Sequence, residues 1–159
     1  MRVLAKMLVI VQDHPWYITL VRQFPRAEVR ITFRPERAGY RFSAFQGNRE
    51  IAQAVLQHLR ERAYPGWWIF ALRVGIFSRR LGIGRRLMCA LIDFARANDI
   101  PVLYLHVYAD NAHLIPFYEN MGFRVIPSAE GYNEHSGRRF ISMQCVISEG
   151  EAKRAPSGG

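Results

Sequence analysis

Four arginines and two glycines within eight residues are the first feature of this chain that could do chemistry: Arg79-Arg80-Leu81-Gly82-Ile83-Gly84-Arg85-Arg86. Glycines one residue apart let a backbone approach a ligand without Cβ interference. Where such a turn opens a helix, the first N–H groups are unpaired and the dipole end is positive, so the turn suits an anion. Arg79, Arg80, Arg85 and Arg86 would reinforce it with planar donors matched to phosphate and carboxylate. Two familiar phosphate turns are excluded. A Walker A loop needs Lys-Ser/Thr after its glycines, and Arg85-Arg86 stands there instead. A dinucleotide fingerprint needs a third glycine where Leu87 sits. Taken alone, the turn is as readily a tight strand-to-helix connection as a ligand cradle.

The flanking segments decide what such a turn could serve. Trp67 to Val74 is nearly all apolar, which predicts a strand buried on both faces. After the turn, Leu87, Met88, Leu91, Ile92 and Ala95 form the inner face of a helix that Asn98-Asp99 and Pro101 end. Val102 to Tyr108 predicts the next strand. Asp110 or Asn111 would cap a short helix carrying Leu114, Ile115, Phe117, Tyr118 and Met121 as far as Gly122. Residues 123–126 and 140–147 read as closing strands around a polar loop, Ser128 to Arg139, and residues 148–159 as a flexible tail. Strand, turn, helix, strand and helix make an α/β crossover unit. Upstream, residues 2–11 predict a strand. Residues 16–24 predict a short helix, from Trp16, Leu20, Val21 and Phe24 at helical spacing, although Ile18, Thr19 and Val21 are β-branched. Residues 28–33 and 40–45 alternate as a hairpin around Pro35 to Gly39. Ile51, Val55, Leu56 and Leu59 predict a helix over 49–63, capped by Asn48 and stopped by Pro65-Gly66. There are no repeats, and residues 1–147 read as one domain.

Arg79-x-x-Gly82-x-Gly84 after a strand resembles the acyl-CoA pyrophosphate loop of the GNAT superfamily of N-acetyltransferases. About 27 residues on, Asn111-x-x-Leu114-x-x-x-Tyr118-x-x-x-Gly122-Phe123 resembles that superfamily's second signature, and the closing strand with Met143 resembles its usual ending. The resemblance covers residues 67–147, about half the chain, and the two-part spacing is far more specific than either motif alone. It implies an α+β fold, a central mixed, mostly antiparallel sheet flanked by helices, and acetyl-CoA as cofactor. It places the pyrophosphate on Arg79, Arg80, Leu81, Gly82, Ile83, Gly84 and Arg85. It lays the pantetheine arm along the strand edge Val74, Gly75 and Ile76 as an extra strand, with Asn111 as a further contact. A backbone N–H of that edge would hold the thioester oxygen as an acceptor amine attacks directly in a ternary complex. Tyr118 would serve as general acid to the leaving thiolate, since a phenol of pKa about 10 keeps its proton at neutral pH.

An alkyl ammonium must lose a proton before it attacks. The motif strand holds no acid, so His106 in the next strand is the candidate base, sharing a face with Tyr104 and Tyr108. Glu130, Glu134 and His135 in the late loop are others, and none is assigned. Arg80 stands where the family usually has glycine, Ser78 where an aromatic is frequent and Ile76 where proline is common. The family's order also puts a strand, two helices and two strands before the motif-bearing strand, whereas here a predicted helix directly precedes it. That region shapes the acceptor site, so the acceptor amine is not read.

Bulk composition sets the outer bounds. The chain has 159 residues, half of them hydrophobic and 22% charged, which suits a globular protein. The early apolar stretch Met7 to Val11 is far shorter than the roughly 20 residues that span a bilayer, and no cleavage site follows it. A cytoplasmic protein without a membrane partner is the expectation. Cys89 and Cys145 have no CxxC partner, so no metal is expected, and both read as core residues rather than nucleophiles. The net charge of +9 comes almost wholly from arginine, Lys6 and Lys153 being the only lysines. That balance favours an anionic partner. Two other functions fit it: a nucleic-acid-binding domain using the turn arginines, and an acyl-CoA sensor without transfer. The first is disfavoured, since residues 67–70 read as core and no nucleic-acid motif is present. Homodimers are common in the family, but no segment marks an interface.

Overall fold

The computed structural model describes residues 8–10, 18–22, 29–60 and 63–147, with backbone alone for the first two segments. They form one nine-stranded sheet: β1 (Leu8–Ile10), β2 (Ile18–Arg22), β3 (Val29–Glu36), β4 (Gly39–Gln46), β5 (Arg49–Leu59), β6 (Gly66–Val74), β7 (Val102–Tyr108), β8 (Arg124–Tyr132) and β9 (Arg139–Val146). The spatial order is β1-β2-β3-β4-β5-β6-β7-β9-β8. Every neighbouring pair is antiparallel except β6–β7. Among the described residues two α-helices accompany the sheet, α1 (Ile83–Ala97) and α2 (Ile115–Asn120). A mixed, mostly antiparallel sheet with helices is the expected class.

Helix α1 forms because its apolar residues recur at helical spacing. Leu87, Met88, Leu91, Phe94 and Ala95 are all buried, and the Asn98 side-chain amide caps the C-terminus by donating to the Phe94 carbonyl at 2.8 Å. The helix lies across β4 to β7. Phe94 meets Phe33 and Phe42 with ring centroids 4.8 and 5.4 Å apart. On β7 the alternation is regular, with Leu103, Leu105 and Val107 entering this core.

Three upstream expectations need correction. Residues 49–59 are strand β5, not a helix, and Asn48 lies in the two-residue turn of the β4–β5 hairpin instead of capping anything. Ala52, Ala54 and Leu56 are the buried set, a two-residue period. Alanine, glutamine and leucine favour helix intrinsically, but β4 and β6 each need a partner here, and pairing overrides propensity. Residues 18–22 are strand β2, as their β-branched members would have it, paired with β1 and β3. Of the strand expected over 2–11, the described part is Leu8–Ile10. The hairpin around Pro35 to Gly39 is present, turning at Arg37-Ala38. Among the described residues no α-helix precedes α1, so none of them forms either of the two helices implied upstream.

Downstream, β8 runs on to Tyr132, which shortens the expected loop to 133–138. On β6 only Trp68 and Ile69 are fully buried, and Ala71 and Arg73 are exposed. Its second half therefore does not sit mid-sheet as expected.

Candidate active site

The reason is that β6 loses a neighbour halfway along. Pairing with β7 stops at Ile69↔Leu105, while β6 continues to Val74 and β7 to Tyr108. On its other side β6 stays paired with β5 as far as Ala52↔Val74. One edge of residues 70–74 is thus unpaired with strand, an arrangement that accepts an extended ligand. The β5–β6 register shifts between Gln53 and Val55, and Ala71 adopts φ +51°, a bulge that turns this backbone out of the ladder. The sequence carries no clear signal for that bulge.

The splayed strands open a cavity of about 830 Å³. Tyr118 and Asn111 line it from the α2 side, His106 from β7, and Glu134, His135 and Arg138 from the 133–138 loop. Tyr118 is 9% exposed and its ring packs on Phe117 and Phe123. Burial raises its pKa above the ordinary phenol value. The His106 ring lies between Trp68 and Phe140, with centroids 4.6 and 4.0 Å away, and its Nδ1 is 3.1 Å from Ser142 Oγ.

Beside the cavity, the chain leaves β6 through Gly75 and a 3-10 turn, Ile76–Ser78, and enters α1 at Gly82. Gly82 adopts φ +74°, a left-handed conformation that glycine takes without strain, and a Cβ there would meet no atom within 4 Å. No side chain caps the start of α1, so its first N–H groups have no side-chain acceptor among the described residues. Gly84 is packed instead, a Cβ there lying 3.4 Å from Val74 and 3.8 Å from Phe117. Arg80 also takes a left-handed conformation, φ +60°, at the position where the resemblance has glycine. Arg79 Nε donates to the Val74 carbonyl at 3.3 Å, and neither Arg80 nor Arg85 makes an ion pair among the described residues. Arg86 does not join the turn, since it donates to the Val29 carbonyl on β3 at 3.2 Å.

Several expected placements shift. Gly75 N–H is already bonded to the Ile51 carbonyl at 2.8 Å, and Ile76 belongs to the 3-10 turn, so of the edge expected at 74–76 only Val74 is strand. The unpaired edge is residues 70–74. Neither Asp110 nor Asn111 caps α2: Leu114 holds that position, and Asn111 sits inside a 3-10 stretch, Ala109–Leu114. Asp110 instead receives Arg138 Nη2 on both carboxylate oxygens at 2.7 Å, which holds its pKa below the usual value. Arg138 also stacks 3.8 Å above the Tyr108 ring, and Asn133 donates to the Tyr108 hydroxyl at 3.1 Å. This latch holds the 133–138 loop over the cavity. The sequence marked it only through Asn133, which turns the loop by accepting from the His135 and Ser136 N–H groups. Glu130 is paired with Arg139 and does not line the cavity, nor do Cys89 and Cys145.

A model of the acetyltransferase (GNAT) family matches residues 9–123. The chain belongs to the GNAT family. This family uses acetyl-CoA. Among curated relatives of this GNAT chain, the N-alpha-acetyltransferase RimI of Mycobacterium tuberculosis is 38% identical over 63 residues, 40% of this chain and 38% of the relative. The ribosomal protein bS18-alanine N-acetyltransferase of Escherichia coli is 33% identical over 82 residues, 52% and 53% of the two chains. The chain thus spans roughly two fifths to three fifths of the length of the curated relatives it matches. The crystal structure of the Escherichia coli ribosomal-protein-S18-alanine N-acetyltransferase superposes with a TM-score of 0.59 at 26% identity, covering 75% of this chain and 76% of that one. No helix among the described residues is long and apolar enough to cross a membrane.

Proposed function

We propose that this chain transfers an acetyl group from acetyl-CoA to a primary amine by direct attack, with both substrates bound together. The observation that carries the reading is that the unpaired edge of β6 and Tyr118 line one cavity, while the α1 start that follows the left-handed Gly82 packs through Gly84 on Val74 and Phe117. The residues present fit the cofactor. Coenzyme A is a polyanion, so its pyrophosphate suits the α1 N–H groups of Ile83, Gly84 and Arg85, the Gly82 turn with Leu81, and the guanidinium groups of Arg79, Arg80 and Arg85. The pantetheine arm suits the 70–74 edge, ending at Val74, with Asn111 across the cavity.

Acetyl-CoA supplies an acyl thioester activated for attack by an amine. Tyr118 keeps its proton because burial disfavours the phenolate, and it donates that proton to the departing sulfur. His106, Glu134 and His135 are the cavity groups available to the acceptor's proton. The names of the relatives point to the acceptor class: α-amines of polypeptides, including a ribosomal protein's alanine. We therefore assign a polypeptide terminal amine as acceptor, and the cytoplasm as the compartment. A nucleic-acid role draws no support from the tryptophans of β6, because Trp68 is 1% exposed and Trp67 packs on Tyr40 and His58.

The test is mass spectrometry of peptide libraries with varied N-terminal residues, incubated with protein and acetyl-CoA. Acetylation confined to the α-amine is expected. Tight acetyl-CoA binding without transfer to any amine would favour the sensor reading instead.

A further inference from the structure

Charge is divided along the site. The segment 75–86, which leads into α1, holds Arg79, Arg80, Arg85 and Arg86 and no acid. Among the residues that line the cavity, Glu134 is the only carboxylate. Two arginines line it as well. Arg138 is matched by Asp110, and Arg73 directly precedes Val74, at the cofactor end of the unpaired β6 edge. Glu36, Glu50, Asp93, Asp110 and Glu130 each have an arginine partner, whereas the Glu134 side chain makes no hydrogen bond or ion pair among the described residues. The Asp99 and Glu119 carboxylates also lack an ion pair there, but neither lines the cavity.

In a chain of net charge +9, one carboxylate on the cavity is thus left uncommitted. Its backbone is well tied. Asn133 N–H donates to the Arg138 carbonyl at 2.9 Å and Gly137 N–H to the Asn133 carbonyl at 2.7 Å, so the loop that carries Glu134 closes on itself. The cofactor is a polyanion and has the arginines of 75–86 to meet it, which leaves the acceptor as the substrate an acid can serve. We propose that Glu134 selects the acceptor by charge, favouring polypeptides with a Lys or Arg side chain within the first few residues and disfavouring acidic ones. An exposed carboxylate attracts one and repels the other, so the discrimination is modest and lies in specificity. The inference rests on the reading of this cavity as the transfer site for a polypeptide α-amine.

The test uses peptides that share an N-terminal alanine and carry Lys, Ala or Glu at the second, third or fourth residue. Two readouts are taken: kcat/KM with acetyl-CoA, and equilibrium binding to the CoA-loaded protein by fluorescence anisotropy of C-terminally labelled peptides. The wild type should prefer Lys over Glu by about fivefold or more at one of the three positions, and high salt should shrink the ratio. Glu134→Gln should cut that ratio to less than half, and Glu134→Lys should reverse it. Glu36→Gln removes the same charge away from the cavity and should leave the ratio unchanged. A wild-type ratio near one at every position would overturn the proposal, as would a ratio that Glu134→Gln leaves unchanged. In the second case an equal fall in kcat for all peptides would mark Glu134 as a base instead. If no amine is acetylated, the acyl-transfer reading fails, and the binding ratios alone then decide the Glu134 assignment by the same criteria.

Discussion

The two halves of the sheet are built from the same strands but put to different uses. From β3 to β5 each strand keeps both neighbours and the turns take two residues, so no backbone edge opens. From β6 to β9 a parallel pair joined through α1 separates after three residue pairs, and the opening becomes the cavity. Strands β3 to β5 contribute Phe33, Phe42 and Leu56 to the core, and none of their described residues lines the cavity.

Substitutions that strike one half and spare the other sharpen this contrast. Tyr118→Phe should lower kcat about 100-fold with little change in acetyl-CoA affinity, because it removes a proton donor and no packing. Steady-state kinetics beside calorimetry would show it, and equal small effects on both would make Tyr118 a packing residue. Phe42→Ala should do the reverse. Phe42 is fully buried and stacks on Phe33 at 5.3 Å, so the change should cost about 3–5 kcal/mol in urea unfolding while leaving kcat of the folded fraction intact. Arg80→Gly relieves a left-handed arginine and should raise stability by about 1 kcal/mol. It also removes a guanidinium from the turn, so acetyl-CoA affinity should fall, which a thermal melt with and without cofactor would separate.

The smallest expected effect concerns the latch. Arg138 holds the Asp110 carboxyl below its ordinary pKa, so the pair is fully formed above the usual carboxylate range and lost as pH falls through the lowered value. Amide exchange in residues 134–136, compared with that in the β3–β4 turn, should quicken over that acid range and not between neutral and mildly acidic pH. Asp110→Asn should remove the difference.

What could be read in advance follows the same division. The crossover unit was legible because its signals agree: an apolar strand, a glycine turn, helical spacing from Leu87 to Ala95, and a second motif ending at Gly122. Residues 49–59 were not legible because Ile51, Val55, Leu56 and Leu59 satisfy helical spacing while Ala52, Ala54 and Leu56 satisfy a strand. Only pairing with β4 and β6 decides between them. Gly47-Asn48, a hairpin signal, was the clue available. The left-handed entry to α1 at Gly82 and the place of Tyr118 on α2 were legible by motif. The bulge at Ala71, the unpaired 70–74 edge and the Arg138–Asp110 latch were not, since each depends on which strands separate and which loop folds back.

The most direct test of the account is calorimetric titration of acetyl-CoA into the wild type and Gly82→Glu at fixed, near-physiological salt. One-to-one binding by the wild type is predicted, with loss of about 100-fold or more in a Gly82→Glu protein whose circular dichroism is unchanged, because a carboxylate would stand where the α1 N–H groups take an anion. Absence of binding by the wild type, or equal binding by the two proteins, would contradict the placement of the cofactor at the start of α1.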